Sequence, residues 1–182
     1  MHYQSRLLAL LIASASTPFA MAAGDGTITF NGEVKAETCV VKVNGGSSSS
    51  TVTLPAVAAK TLGAKGQVAG LTGFTMELSE CGAASKKAYT FFEAGSSVDP
   101  SSGNLKNVGG TAQGVQLQLV DTSSTSANNA IKAGHESQRT ATTKIDIASG
   151  SALLPYGVQY YAEGVAGAGT VMSSVTYSIA YP

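Results

Sequence analysis

The 182-residue sequence has no tryptophan, only two cysteines and two histidines, and charged residues make up just 12% of it. Its 11 basic residues are balanced by 11 acidic ones, so the formal net charge is zero. Nucleic-acid-binding proteins carry clusters of lysine and arginine, which argues against a nucleic-acid partner. A surface with so few charges is instead suited to association with further copies of the same chain.

The first 22 residues have the pattern of an export signal. Arg6 provides a positive start, residues 7–15 form an apolar stretch, and Ala20-Met21-Ala22 matches a cleavage site, so the mature chain should begin at Ala23. The apolar stretch is shorter than the roughly 20 residues that cross a bilayer. Removing residues 1–22 leaves 182 − 22 = 160 residues, enough for one domain with a hydrophobic core.

The scarcity of histidine limits the chemistry that the mature chain can perform. His135 is its one histidine, and it lies in a polar stretch without a nucleophile elbow nearby, which favours a solvated loop position. Metal sites need several converging ligands. The glycine-rich residues 164–169 lack the Lys-Ser/Thr pair of a phosphate-binding loop. We therefore predict no catalytic residue, no metal site and no cofactor.

Both cysteines, Cys39 and Cys81, lie in the exported part of the chain. An even number of cysteines in an oxidising compartment favours one disulfide, which the chain-entropy model values at roughly 4 kcal/mol for a loop of this length. A reactive or metal-binding thiol pair is the alternative, and it is less favoured because histidine partners are missing nearby.

The pattern of the mature chain is typical of β-structure. Runs of β-branched residues are separated by glycine and serine clusters, and apolar residues alternate with polar ones. In residues 114–120 (GVQLQLV), for example, Val115, Leu117 and Leu119 share one face, with Gln116 and Gln118 opposite. We predict a β-sandwich with strands in these segments: residues 26–34, 74–78, 114–120, 143–148 and 171–181.

Between the predicted strands lie segments typical of loops. They comprise residues 44–46 followed by four serines, residues 95–110 and residues 121–130. Residues 56–62 (AVAAKTL) are predicted to form one short helical turn. Neither a second domain nor an internal repeat is predicted.

Both ends of the mature chain resemble the pilins of the chaperone/usher pathway, and type 1 fimbrial major subunits in particular. Residues 26–39 (GTITFNGEVKAETC) resemble the N-terminal extension and first strand of that family. Residues 155–164 (PYGVQYYAEG) resemble its penultimate strand. The C-terminal motif also matches, because Tyr181 is penultimate, Gly169 is fourteenth from the end, and hydrophobic residues alternate between them.

The resemblance implies an all-β, incomplete immunoglobulin-like β-sandwich that is completed by donor-strand exchange. Residues 1–22 would be the signal peptide, residues 23–32 the N-terminal donor-strand extension and residues 33–182 the pilin domain. The disulfide would link the first strand to the region that follows it. The side chains directed into a neighbour's groove would be those of Gly24, Gly26, Ile28 and Phe30.

The resemblance also implies partners and a location. A periplasmic pilus chaperone would bind the edge of the last strand, which carries Gly169, Val171, Val175, Tyr177, Ile179 and Tyr181. An outer-membrane usher would then join the subunit to other copies of itself, and to tip adhesin or adaptor subunits, in a fimbria on the bacterial cell surface. Such a fimbria would support adhesion or biofilm formation.

Two alternatives remain within the same fimbrial system. A minor adaptor subunit is a variant of the major-subunit prediction that the sequence does not reject. A carbohydrate-binding adhesin of this kind carries an additional lectin domain and lacks a donor extension, which fits 160 residues poorly. An enzyme is the least favoured class, because neither a nucleophile with its base nor an oxyanion donor can be identified.

Overall fold

The computed structural model describes residues 29, 39–82 and 86–182. The predicted signal peptide (residues 1–22) and the domain boundary at residue 33 lie outside the described residues. So does the predicted donor extension (residues 23–32) apart from Thr29, and with it Gly24, Gly26, Ile28 and Phe30. Within the described residues no helix is long and apolar enough to cross a membrane.

Strands dominate the described part of the chain, as predicted. The bounds are β1 Val40–Val43, β2 Val68–Ser79, β3 Lys87–Phe92, β4 Leu105–Lys106, β5 Val115–Asp121, β6 Ala130–Ile131, β7 Ile145–Asp146, β8 Ala152–Ala162 and β9 Tyr177–Ala180. The helical elements there are a 3₁₀ turn, Ala59–Leu62, and the one-turn helix α1, Gln138–Ala141. The 3₁₀ turn lies within the predicted helical residues 56–62 and is shorter.

The strands form two antiparallel sheets. The larger has the order β1-β2-β8-β5-β4, with β6 also paired to β5, and the smaller has the order β7-β3-β9. The long central strands β2 and β8 pair from Val68 opposite Tyr161 to Leu78 opposite Ala152, with a β-bulge between Ala69 and Thr72. The bulge accommodates the twist of so long a pair.

The core consists of the inward-facing residues of these strands. Its best-buried members include Met76, Leu78, Phe92, Leu117, Leu119, Leu154 and Val158. Phe92 and Tyr156 pack edge to face with ring centroids 5.4 Å apart, and Phe74 contacts both rings. Burial of each large apolar side chain contributes about 1.5–3 kcal/mol, so this cluster supplies much of the force that joins the strands.

Three local predictions need correction. Residues 95–110 are not simply a loop, because buried Val98 forms a β-bridge with Leu105 and β4 follows there. Gln116 is on the predicted polar face of β5 but is buried, because Asp99, Ser102 and Glu163 hydrogen-bond its amide. The last predicted strand, residues 171–181, is a strand only over Tyr177–Ala180, since residues 170–176 bond mainly to irregular loops.

Candidate functional site

A groove runs between the C-terminal segment, residues 169–181, and a facing segment, residues 48–59. Three adjoining cavities of about 350, 440 and 590 Å³ lie along it. The first cavity is lined by Gly169 and Val171, the second by Val175, and the third by Ile179 and Tyr181. The sequence-predicted C-terminal residues therefore lie together, in chain order, along one wall of the groove.

The side chains of the C-terminal segment alternate between two environments. The odd-numbered residues Val171, Val175, Tyr177, Ile179 and Tyr181 are half-buried and pack against the core. The even-numbered residues Met172, Ser174, Thr176 and Ser178 are exposed. This period of two is that of an extended chain with one face on the core, so the predicted alternation is confirmed.

The backbone of this segment alternates in the same way. The carbonyls of Thr170, Met172 and Thr176 accept hydrogen bonds of 2.9–3.0 Å from the backbone N–H groups of Ala112, Val108 and Glu93. Successive backbone groups of an extended chain point to opposite sides, so residues 171, 173 and 175 present theirs to the groove. Within the described part of the chain these three residues have no backbone partner.

The facing segment forms the second wall and has a similar pattern. Val52, Leu54 and Val57 are half-buried against the core, whereas Thr51 and Thr53 are exposed. Among the described residues, no hydrogen bond is made by the backbone of residues 50–57. The groove thus lies between two extended segments whose backbone donors and acceptors have no partner among the residues that the structure describes, which is the arrangement that an added strand requires.

The floor of the middle cavity is apolar. It is lined by core side chains from both sheets, including Phe74, Met76, Phe92, Leu117 and Leu119. A strand placed between the two walls could therefore bury apolar side chains against the core and satisfy backbone groups on both of its edges. An arrangement of this kind is suited to binding a β-strand.

One end of the groove is held by the predicted disulfide, which is confirmed. Cys39 and Cys81 are joined just before β1 and just after β2. The Cys39 N–H donates to the Tyr181 hydroxyl at 2.9 Å, and the Tyr177 hydroxyl donates to the Ser48 carbonyl at 2.6 Å. Burial raises the pKa of Tyr177 above its ordinary value.

The other end is held by glycine packing and by one side chain that the sequence analysis missed. Gly169 lies so close to Thr111 and Ala112 that a Cβ there would overlap them. The Asn107 amide donates to the carbonyls of Thr170 (3.1 Å) and Ala112 (3.0 Å), and its oxygen accepts from the Met172 N–H (2.8 Å). The sequence Asn107-Val108-Gly109-Gly110 indicates a loop, but nothing in the pattern reveals these long-range partners.

The described residues that line the groove include no histidine, aspartate, glutamate, lysine or arginine. His135 lies in an exposed turn, where its Nδ1 is 2.8 Å from the Ser137 hydroxyl, so the predicted solvated loop position is confirmed. In the described residues no group of three or more His, Cys, Asp or Glu side chains is placed to hold a metal ion. The chemistry of the groove is that of apolar contact and backbone hydrogen bonding.

Comparison with known proteins agrees with the predicted family and fold. The family model "Type-1 fimbrial protein, A" matches residues 54–182. The chain is 40% identical over 182 residues to the F17 fimbrial protein of Escherichia coli, covering 96% of each chain. It is also 40% identical over 174 residues to the major fimbrial subunit SMF-1 of Stenotrophomonas maltophilia (strain K279a), covering 92% of this chain and 98% of that protein.

Among solved structures, the P pilus rod subunit PapA shares the fold with a TM-score of 0.56 at 15% sequence identity. The match covers 79% of this chain and 99% of that one. This likeness supports the predicted immunoglobulin-like architecture. The chain therefore belongs to the type-1 fimbrial protein family, as a structural subunit exported to a surface pilus.

Proposed function

We propose that this subunit polymerises by inserting its N-terminal extension, residues 23–32, into the groove of a neighbouring copy. The observation that carries the proposal is the pair of extended walls, residues 50–57 and 171–175, which flank an apolar floor. Addition of a strand to such edges is an established mode of protein recognition, in which backbone bonds give affinity and alternate side chains give specificity.

The composition of the extension suits this groove. Ile28 and Phe30 supply apolar side chains on one face, and each contributes about 1.5–3 kcal/mol on burial. Gly24 and Gly26 allow the backbone to approach the walls closely. With about 1 kcal/mol net for each ladder hydrogen bond, a strand of roughly ten residues gains more than 10 kcal/mol before the costs of ordering.

The same groove serves assembly before polymerisation. A periplasmic chaperone protects the subunit by pairing one of its own strands with the edge that carries Val171, Val175, Tyr177, Ile179 and Tyr181. An outer-membrane usher then exchanges that strand for the extension of the next subunit, and tip adhesin or adaptor subunits join through the same contact. The protein acts by forming this polymer and has no enzymatic activity.

Substitutions on the two faces of the extension test the donated strand. Phe30→Asp and Ile28→Asp place a charge in an apolar groove, so we expect no polymer, and deletion of residues 23–32 should have the same effect. Thr29→Asp is the matched control, because its side chain is on the opposite face of the strand. The readout is the amount of polymer that resists heat and detergent on gels. Equal polymerisation by the truncated chain contradicts the proposal.

A second pair of variants tests the groove itself. Val175→Asp introduces a charge on the wall, and we expect loss of both polymerisation and chaperone co-purification. Thr176→Asp changes the neighbouring exposed side chain and should leave both intact. If the two variants behave alike, the half-buried face of the C-terminal segment is not the binding surface.

A further inference from the structure

Two small apolar patches are exposed at different places on the domain. Val108 and Met172, which are 60% and 63% exposed, form the groove-end patch. The Val108 N–H donates to the Met172 carbonyl, so the two residues are adjacent. Val40 and Leu153, which are 43% and 64% exposed, flank the end of β2 on either side of Ser79 and Glu77, and this area is called the entry patch. They lie on strands that both pair with the last residues of β2, opposite Ser79 and Glu77.

The patches lie at opposite ends of the groove. The groove-end patch contains Met172, near the start of the C-terminal segment. The entry patch follows Cys39, which is bonded to Tyr181 at the end of that segment. From Met172 to Tyr181 is 181 − 172 = 9 residues of largely extended chain, or roughly 30 Å. One patch therefore cannot cover the other within a single copy.

We propose that the entry patch of each copy packs on the groove-end patch of the copy that accepts its extension. This inference rests on the proposed strand donation and adds a direct contact between the two domains. The groove-end patch is therefore covered by a second copy of this chain, in a head-to-tail contact. A head-to-tail contact between unlike surfaces propagates into an open filament when the rotation between copies does not close a ring.

The direction of strand pairing brings the two patches within reach of each other. Every strand pair in the described part of the chain is antiparallel. An extension that keeps this order along the C-terminal segment ends beside Val171, next to Met172. From residue 32 to Cys39 is 39 − 32 = 7 residues, which span at most about 25 Å. The donor's Cys39 therefore lies within about 25 Å of the end of its extension beside the acceptor's Val171. Val40 and Leu153 lie at the end of the donor's domain that contains Cys39.

The contact gives a function to exposed apolar residues that the donated strand does not reach. Met172 is on the outer side of the C-terminal segment, and its side chain lies over Gly109. Apolar packing at the junction fixes the angle between successive subunits and stiffens the fibre.

The test is cross-linking of polymers assembled from the full chain. The Met172→Cys/Leu153→Cys variant is polymerised and treated with a short bismaleimide, which links two thiols only when their side chains are close to contact. The sample is then fully denatured and separated on a gel. We expect a ladder of covalent trimers and longer species, because each copy is linked at both ends. Met172→Cys alone should give no ladder. Ser126→Cys/Leu153→Cys is the matched control, because Ser126 is exposed in the loop after β5 at the same end as Leu153.

Each other result overturns the inference in a distinguishable way. Polymers that form normally but give no ladder exclude the contact and leave strand donation standing. Cross-linking by Leu153→Cys alone indicates that the extension inserts parallel to the C-terminal segment, so that the entry patches of two neighbouring copies meet. An equal ladder from the Ser126→Cys/Leu153→Cys control shows unspecific proximity. Failure of the unsubstituted chain to polymerise removes the proposed function, and the inference with it.

Discussion

Tyr181 and Cys39 are joined by a hydrogen bond across 142 positions of sequence, with the Cys39 N–H donating to the Tyr181 hydroxyl at 2.9 Å. The penultimate residue of the chain is thereby tied to the disulfide that links the start of β1 to the end of β2. The C-terminal wall of the groove is thus anchored to the larger sheet by a side chain as well as to β3 by backbone pairing.

Removal of this hydroxyl should weaken the domain. We expect Tyr181→Phe to lower the free energy of unfolding by about 1 kcal/mol, the net value of one hydrogen bond. Urea unfolding measures it in a monomeric variant that carries a copy of residues 23–32 after Pro182 through a short linker. Tyr161→Phe is the control, because no hydrogen bond of its hydroxyl is found among the described residues, and it should change stability little. Equal losses would show that the Cys39 contact contributes nothing.

The alternation of residues 171–181 illustrates what sequence can predict here. The spacing of Val171, Val175 and Tyr177 correctly indicated which side chains face the core, because period-two patterns report burial. It did not indicate strand partners. Residues 171–176 lie outside a strand, and the backbone carbonyls of Met172 and Thr176 accept from residues outside strands. Periodicity shows which side chains of one segment share a face. Backbone pairing depends also on a second segment, which is far away in sequence.

Two polar side chains that organise the groove were beyond sequence reasoning for the same reason. Asn107 holds the start of the C-terminal segment, and Gln138 holds Phe92 at the groove floor. Both lie in polar, loop-like stretches and act on residues at least 46 positions away. By contrast, the disulfide followed from composition and compartment alone, because only one pairing of two cysteines exists.

Gln138 gives the second prediction. Its amide is buried and bonds both ways to one residue, accepting from the Phe92 N–H and donating to the Phe92 carbonyl, each at 2.9 Å. Gln138→Leu preserves the volume but leaves the buried Phe92 N–H without a partner, whereas the Phe92 carbonyl keeps its bond from the Gly134 N–H. We therefore expect a loss of about 1–3 kcal/mol in the free energy of unfolding. The same urea assay measures it.

Gln159→Leu provides the comparison for Gln138→Leu. Gln159 donates to Gln118 at 2.9 Å, but both amides are half-buried, so water can replace the lost partner. We expect a change under about 1 kcal/mol. Comparable losses of unfolding free energy in the two variants would mean that the buried contact of Gln138 with Phe92 contributes no more than a half-buried hydrogen bond.

Acid sensitivity is the third prediction. Hydrogen bonds from the Gln116 amide, and then from the backbone and hydroxyl of Ser101, hold the pKa of Asp99 well below its ordinary value. A carboxylate with a depressed folded pKa stabilises the fold above the unfolded pKa, near 3.9, and loses this contribution as the pH falls towards the folded pKa. The stability gap between the native chain and Asp99→Asn should therefore narrow below about pH 4.

Urea midpoints at pH 7, 5, 3 and 2 measure that gap. Other carboxylates titrate in the same range in both proteins, so only the difference between the two curves reports on Asp99. A gap that stays constant down to pH 2 would show that the hydrogen bonds of Asp99 do not favour its charged form.

Gly169 gives the last prediction, at the end of the groove opposite Tyr181. A Cβ at this position would overlap Thr111 and Ala112, so Gly169→Ala must move the C-terminal segment away from the loop that holds it. Such overpacking costs about 1–3 kcal/mol, and the displaced wall should also reduce polymer yield. Gly164→Ala is the matched control, because a Cβ there meets no atom within 4 Å, and both readouts should stay unchanged. If Gly169→Ala polymerises at the native yield, close packing at this end is not needed to form the groove.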